Sequence, residues 1–444
     1  GSDAETCAAA LEPRLVVGSP GRVAIAQPGN LLELPDQSAT AIGEIELGGV
    51  FTVMNGPECG AGLVWWRVNY NAREGWIAEG RNNDYFLEPV LTLMAPIADR
   101  APISPENARA LSEMSRINGA FGTDFAWMPL ETGFASPLRL AVTASGDQQG
   151  VWVYDLTEIA ASPRLLESQE AVTTLSFNPL DSNMIAFGRT QVGIVRTDGT
   201  VRVWDVDRSR EQGGENVVLQ NGTLAPNALV FNANGSWLAA ANGSSFAPVP
   251  ENVIRIWRTD TWEQLSESRY TYPVLDLAFS ADGRLFAYGD LSGSISLLQT
   301  RGGGGLVELE GHEAAIRALA FTPSVAPIPL LASASEDATV RLWNTNNGRQ
   351  TQVLESSTSV VLAIAFSPDG TLIATGGGNQ INPNEDYAVR VWDIASGALL
   401  ATLVGHPAPV TDLEFSPDGT LLASIGDDHV VRFWGIPASG LDAN

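Results

Sequence analysis

The sequence predicts an all-β chain: a small β-barrel followed by a ring of seven repeated four-stranded units. Two observations predict the ring. First, one template recurs: an alternating apolar run ending in Phe, then a turn such as Ser367-Pro368-Asp369-Gly370 or Ser416-Pro417-Asp418-Gly419, a short Leu-Ala-Ser-type strand, an Asp-bearing turn and a Val-Arg-x-Trp strand. Second, the Trp-type position falls at Tyr154, Trp204, Trp257, Leu298, Trp343, Trp392 and Trp434, at steps of 41 to 53 residues. About four short strands per unit at such a period is the pattern of a seven-bladed β-propeller. A third observation, a run of short strands broken by Gly and Pro before the repeats, predicts the barrel.

The barrel occupies residues 1–90. Its expected strands are Arg22–Ala26, Leu31–Leu34, Ile42–Ile45, Val50–Met54, Val64–Tyr70 and Gly75–Ala78. Cys7 and Cys59, the two cysteines of the chain, both lie in this part and are expected to form a structural disulfide, which implies an oxidising compartment. Residues 91–106, rich in proline, read as a linker.

The blades are expected at 121–155, 172–206, 227–258, 273–299, 314–344, 360–393 and 408–436, within a propeller spanning 107–436; 437–444 is a tail. The seventh blade ends at its third strand, Val430–Trp434, so its outermost strand must come from elsewhere. The segment Asn107–Ile117 matches an outer strand and is the expected donor, which removes an exposed sheet edge.

Bulk composition excludes several functions. Of 444 residues, 51 are Asp or Glu, and the 25 basic residues are all Arg, giving a net charge of −26. Such acidity excludes a nucleic-acid partner, whose phosphates need cations. Without lysine there is no Schiff-base or P-loop chemistry. No apolar run is long enough to span a membrane. The start at Gly1-Ser2 fits either export followed by removal of a signal peptide or an added Gly-Ser remnant.

Two resemblances refine this reading. Asn30-Leu31-Leu32-Glu33-Leu34-Pro35, Ile42-Gly43-Glu44-Ile45, Trp65-Trp66-Arg67-Val68 and Gly75-Trp76-Ile77 resemble a bacterial Src-homology-3-type domain over about 14–89. Such domains are often extracellular and bind cell-wall or protein ligands. Residues 107–436 resemble a WD-repeat β-propeller. In blades five and seven, His312 and His406 each stand nine residues before a Phe; Ser333 and Ser424 precede Asp337 and Asp428 by four, and these precede Trp343 and Trp434 by six. The resemblance implies that His312, Ser333, Asp337 and Trp343, and likewise His406, Ser424, Asp428 and Trp434, form buried hydrogen-bond relays. Blade six has Ser357 in the His place, blade four has Tyr270 and Leu298 in the His and Trp places, and blade one has Tyr154.

The blades differ most in one loop. The spacing of four in blades five and seven becomes eleven from Phe187 to Asp198, from Ala240 to Glu251 and from Thr375 to Asp386. These extended loops, 188–198, 242–251 and 377–386, are expected on one face at the channel rim, with Arg189, Gln191, Arg196, Phe246, Asn382 and Tyr387 as candidate binding residues. Catalytic residues, metals and cofactors are not expected: two of the three histidines belong to the relays, His429 reads as a turn residue, and neither Asp427-Asp428 nor Asp205-Val206-Asp207 has calcium-loop spacing. Asn221, Asn234 and Asn242 match the glycosylation pattern but read as Asn-Gly turns.

The resulting expectation is a non-catalytic, extracellular or cell-surface interaction scaffold, bacterial in origin, that binds a protein or cell-wall component. A structural subunit of a self-assembling, homo-oligomeric surface structure is the second expectation. A glycan-active propeller enzyme is the third; it would need acidic and basic groups converging on the channel mouth, with raised carboxylate pKa values.

Overall fold

The computed structural model describes residues 15, 17, 20–23, 29–45, 50–60, 63–81, 84–85, 87–89, 100–118, 121–130, 138–144, 150–157, 163–167, 171–190, 199–206, 217–222, 224–244, 251–300, 306–323, 329–355, 360–379 and 387–436. The chain divides into two compact units, one built chiefly from residues 1–94 and the other from most of 95–444.

The first unit is one eight-stranded antiparallel sheet. Its strands run in the order Ala41–Ile45, Gly29–Leu32, Arg73–Arg81, Leu63–Tyr70, Val50–Gly60, Pro20–Val23 and Leu87–Pro89, and Asp84–Tyr85 pairs with Arg73–Arg81. Period-two alternation decides its packing. Val64, Trp66 and Val68 pack with Leu31, Val53 and Ile77, whereas Leu63 and Trp65 pack with Leu32 and Trp76. The Trp66 indole N–H donates to the buried Glu79 carboxylate at 2.7 Å. Cys59 is disulfide-bonded; Cys7 lies outside the described residues.

The second unit contains seven four-stranded antiparallel sheets. Sheet 1 is Phe121–Trp127, Arg139–Ala144, Gly150–Asp155 and Arg164–Glu167; sheet 2 is Ala171–Asn178, Asp181–Thr190, Thr200–Asp205 and Val217–Gln220. Sheet 3 is Pro226–Phe231, Trp237–Asn242, Val253–Arg258 and Gln264–Arg269; sheet 4 is Val274–Phe279, Leu285–Asp290, Ile295–Gln299 and Val307–Leu309. Sheet 5 is Ile316–Phe321, Leu330–Ser335, Thr339–Asn344 and Arg349–Glu355; sheet 6 is Val361–Phe366, Leu372–Gly377, Val389–Asp393 and Leu399–Leu403. Sheet 7 is Val410–Phe415, Leu421–Gly426 and Val430–Gly435, with Ser112–Asn118 as its outermost strand. The first strand of each sheet neighbours the first strand of the next, and that of sheet 7 neighbours that of sheet 1, so the sheets form a ring around a central channel.

The core lies between successive sheets. One buried cluster, for example, joins Val151 and Val153 of sheet 1 to Leu175, Phe187 and Trp204 of sheet 2. Alanines recur in the second strands (Ala186, Ala240, Ala287, Ala332, Ala374 and Ala423), all fully buried. A small side chain there lets neighbouring sheets approach closely. The repeated Ser-x-Asp-Gly turn is also explained locally. Ser367 and Ser416 each donate a side-chain hydrogen bond to Asp369 and Asp418 at 2.6 Å and accept the N–H of Leu372 and Leu421 at 2.9 Å. Gly370 and Gly419 sit at φ +71°, where a side chain would be strained.

Two expectations need correction. The donor segment 107–117 is a strand only from Ser112; Ala108–Ala110 form a 3-10 turn. The presumed linker 91–106 is structured over its last part. Ile103 is buried with Ala108 and Leu111 against sheets 6 and 7, and its N–H donates to the Gly419 carbonyl at 2.8 Å. The prolines concealed an apolar anchor. Of the glycosylation-pattern asparagines, Asn221 and Asn242 are fully buried and closed to a glycan.

Candidate functional site

Every first strand carries a β-bulge near its start, where the register shifts. In sheets 2 to 7 the extra residues are Thr173, Asn227, Leu275, Arg317, Leu362 and Thr411, and all six line the channel. A bulge re-aims a side chain and leaves part of the ladder unpaired. Two of these residues stitch neighbouring sheets: Thr173 donates to the Pro226 carbonyl at 3.0 Å, and Asn227 to the Val274 carbonyl at 2.9 Å. The bulges also fix which loops share their end of the ring. Val410 pairs with Gly426 and Ile316 with Ser335, the last residues of second strands. The loops between second and third strands, including 188–198, 242–251 and 377–386, therefore leave from the bulged end.

Gln191, Arg196, Phe246 and Asn382 lie outside the described residues, as do Ser357 and Asp386. Arg189 lies in the second strand of sheet 2, paired with Thr200. Tyr387 is half-buried, with its ring against Gly378. His429 occupies a turn at φ +58°.

Beside that end, sheets 5 and 7 hold the two relays. His312 Nε2 lies 2.7 Å from Ser333 Oγ, its Nδ1 lies 2.8 Å from Asp337, and the Trp343 indole N–H donates to Ser333 Oγ at 2.8 Å. In sheet 7 the corresponding distances are 2.8, 3.0 and 2.9 Å for His406–Ser424, His406–Asp428 and Trp434–Ser424. Burial lowers the His312 pKa, which keeps the imidazole neutral, with Nδ1–H donated to Asp337. Burial pushes the Asp337 carboxyl up, but the Thr339 hydroxyl, His312 and the Glu313 N–H outweigh it and hold the pKa below the usual range. Ser, His and Asp here have the connectivity of a hydrolytic triad. Ser333 and Ser424 are nevertheless 0% exposed, and each oxygen is occupied by an indole N–H. Substrate cannot reach them, so the arrangement can hold loops but not attack a carbonyl.

The other sheets fill the same place differently. Register identifies it: Ser333, Ser424, Phe187, Ala240 and Thr375 all pair with an Arg of the third strand. In sheet 6, Thr375 accepts the Trp392 indole N–H at 3.1 Å. In sheet 4, Tyr270 and Tyr288 pack at 4.7 Å between ring centroids, and burial, with Tyr288 adding, pushes the Tyr270 hydroxyl up to about 12. In sheet 3, the Asn242 amide and Arg255 both donate to the Asn221 carbonyl, and Glu251 pairs with Arg255 at 3.6 Å.

The channel, about 1170 Å³, is lined by all seven first strands. Inspection of single motifs does not single out its carboxyl groups. Asp124, Asp276 and Asp412 stand at the same register, and each accepts a backbone N–H from the following sheet: Leu175 at 2.9 Å, Leu319 at 2.6 Å and Phe125 at 3.2 Å. Glu414 adds a second bond from sheet 7 to sheet 1, accepting the Trp127 N–H at 3.0 Å. Burial pushes Asp276 to about 7 and Glu414 to about 8, and raises Asp124 and Asp412. Three Asp residues, each three before the aromatic that ends its first strand (Trp127, Phe279, Phe415), were the available sequence signal. Among the described residues, no group of three or more His, Cys, Asp or Glu could hold a metal, and no helix is long and apolar enough to cross a membrane.

The model of the WD domain, G-beta repeat matches residues 305–344, 348–393 and 397–435, that is, sheets 5, 6 and 7. Residues 305–435 thus match WD40 repeats. It is 30% identical to the WD repeat-containing protein VIP3 of Arabidopsis thaliana over 192 residues, 40% of this chain and 56% of that protein. Over 117 residues it is 36% identical to the serine-threonine kinase receptor-associated protein of Dictyostelium discoideum (26% of this chain, 39% of that one). Over 76 residues it is 41% identical to protein transport protein sec13 of Emericella nidulans (16% and 24%). The matches thus span at most 56% of these relatives' lengths. A chain in the crystal structure of the mitotic checkpoint complex shares the fold, with a TM-score of 0.58 and 18% identity, covering 78% of this chain and 98% of that one. The repeats and relatives support a WD-repeat β-propeller, and WD-repeat proteins are generally protein-interaction scaffolds rather than enzymes.

Proposed function

We propose that this chain is a seven-bladed WD-repeat scaffold that captures a protein partner on the bulged end of its ring. The supporting observation is an exposed arc over sheets 4 and 5. Tyr272 is 50% exposed, and Leu291 is 37% exposed and tied beside it by the Leu291 N–H to Pro273 carbonyl bond at 3.0 Å. The same loop, at Gly293, lies against Ala314, next to exposed Glu313 and the Arg317–Glu336 pair. An aromatic and an aliphatic group beside mixed charge suit a protein interface. The N-terminal sheet is, on this reading, a Src-homology-3-type barrel that adds a second binding surface. The bonded Cys59 supports an oxidising, extracellular setting.

The channel carboxyls bear on the enzyme alternative. Their raised pKa values meet half of its requirement, but each carboxyl accepts a backbone N–H across a seam through one oxygen, which supports a structural reading. The test of the scaffold is to shorten loops 188–198, 242–251 and 377–386 to the short spacing of sheet 7. Partner recovery from the native cell extract should fall at least tenfold, about 1.4 kcal/mol, while the fold survives. Unchanged recovery, with loss only when residues 1–90 are removed, would move the binding site to the N-terminal unit.

A further inference from the structure

We propose that the outer strand of sheet 3, Gln264–Arg269, pairs antiparallel with the same strand of a second copy of this chain, so that two sheets become one across a two-fold axis. Among the described residues this strand is bonded on one side only, to Val253–Arg258. All six of its residues are exposed. Other outer strands are pinned inward at one register position, opposite the residue three before the Trp-type position. There sheets 1, 2, 4, 5 and 6 place Leu166, Leu219, Leu309, Leu354 and Leu403, each at most 5% exposed. In sheet 3 the same position, opposite Ile254, is Ser268. The aliphatic anchor is missing, and contact with sheet 4 passes to Tyr270, beyond the end of the strand, which packs on Tyr288 at 4.7 Å.

Backbone direction decides the register of the pairing. The Tyr270 N–H points inward and donates to the Asn252 carbonyl at 2.9 Å. Alternation along the strand then turns the N–H and C=O of Glu267 and Arg269 outward, toward a neighbouring strand. Leu265 is the extra residue of a bulge, so the regular edge begins at Ser266. A copy centred on Ser268 sets Glu267 of each chain opposite Arg269 of the other, as hydrogen-bonded pairs, and puts the small Ser268 at the closely spaced pair on the axis. Centring on Glu267 would set like charges face to face. The ions are placed for this exchange. Arg269, its side chain 67% exposed, lies 2.9 Å from Glu267 of its own strand, and Arg255 holds Glu267 from the inner side at 3.2 Å. The equivalent register in sheets 5 and 6 would oppose Val353 to Glu355 and Thr402 to Val404, with a leucine turned inward between them. Self-complementary charge therefore belongs to sheet 3. Its outer strand also has neither lysine nor proline, two devices that commonly guard a sheet edge.

Sedimentation velocity of the whole chain tests the pairing. One strand pair buries less than the roughly 1,200 Å² of a standard interface, so association is expected between about 10 and about 500 µM. Over that range the wild-type mass should rise from 47.1 kDa toward twice that value. Arg269→Glu should weaken association at least about tenfold, and so should Glu267→Arg, because each sets like charges across the axis. An equimolar mixture of these two variants should associate as the wild type does, since every Glu then faces an Arg. Arg349→Glu, on the outer strand of sheet 5, should leave association unchanged. A wild type that stays monomeric throughout overturns the proposal, whether or not the variants fold. So does Arg269→Glu associating as tightly as the wild type, or a mixture that stays monomeric while both variants keep the wild-type melting transition.

Discussion

Sheets 5 and 7 carry the same relay of His, Ser, Asp and Trp, whereas sheets 3 and 4 are built on the same frame without it. In sheet 5 one imidazole reaches from the entering loop to the second strand and to the turn before the third. In sheet 4 two tyrosines packed at a tilt occupy that space, and in sheet 3 Asn242 and Arg255, the latter paired with Glu251, converge on a backbone carbonyl. Strand register is nevertheless the same in all four. Apolar alternation and the bulge therefore set the frame. The buried polar slot needs its hydrogen bonds satisfied, but several chemistries can do so.

The strongest way to break the comparison is at sheet 7, where the relay also meets ring closure. Arg432 pairs with Glu113 of the outer strand at 2.8 Å and with Asp428 of the relay at 3.5 Å. A chain beginning at residue 120 loses that outer strand and the Ile103 anchor. It should aggregate or melt without cooperativity, because sheet 7 is left with a free edge. A sharp, wild-type-like calorimetric transition in that chain would show that the ring closes without the strand.

Point substitution gives a smaller effect. Replacing His312 or His406 by Ala leaves the Ser hydroxyl and the Asp carboxylate short of a buried partner, and each should cost about 1–3 kcal/mol in denaturant unfolding. Among the described residues, the sheet 6 slot holds Thr375 and the Trp392 indole. Thr375→Ser should be nearly neutral and Thr375→Ala should cost about 1 kcal/mol. Equal losses for Thr375→Ala and His406→Ala would mean that the imidazole adds nothing to the hydroxyl–indole bond.

The same contrast explains what could be read from the sequence. The repeating strands and the relays were legible because each is written within one repeat, at fixed offsets such as Ser333 to Asp337. The buried anchor Ile103 was not, since its partner Gly419 is remote in the chain and its neighbours are prolines. The stitches of Asp124, Asp276 and Asp412 were hidden for a related reason: each acts on the next sheet, so no single repeat displays both donor and acceptor. The Tyr270–Tyr288 pair was half visible, as a departure at Tyr270 whose partner only the fold supplies.

The smallest expected effect is the pH dependence of the relay, and its sign opposes that of the channel carboxyls. Burial depresses the His312 pKa, and the Asp337 carboxyl is also held low. A depressed folded pKa gives stability that is present above the unfolded value and lost as pH falls through the folded one. The sheet 5 relay therefore weakens on acidification, beginning below about pH 6.5, where an unfolded histidine takes up its proton. Asp276 and Glu414, raised to about 7 and about 8, weaken on the alkaline side. The wild-type melting temperature should thus pass through a maximum between these limbs. In His312→Ala the acid limb alone should become shallower, by a few tenths of a kcal/mol between about pH 6.5 and pH 5. In Glu414→Gln the alkaline limb alone should flatten. If His312→Ala lowers the curve uniformly without changing either limb, the imidazole is held by packing against Trp343, and its neutral hydrogen-bonded form contributes nothing specific.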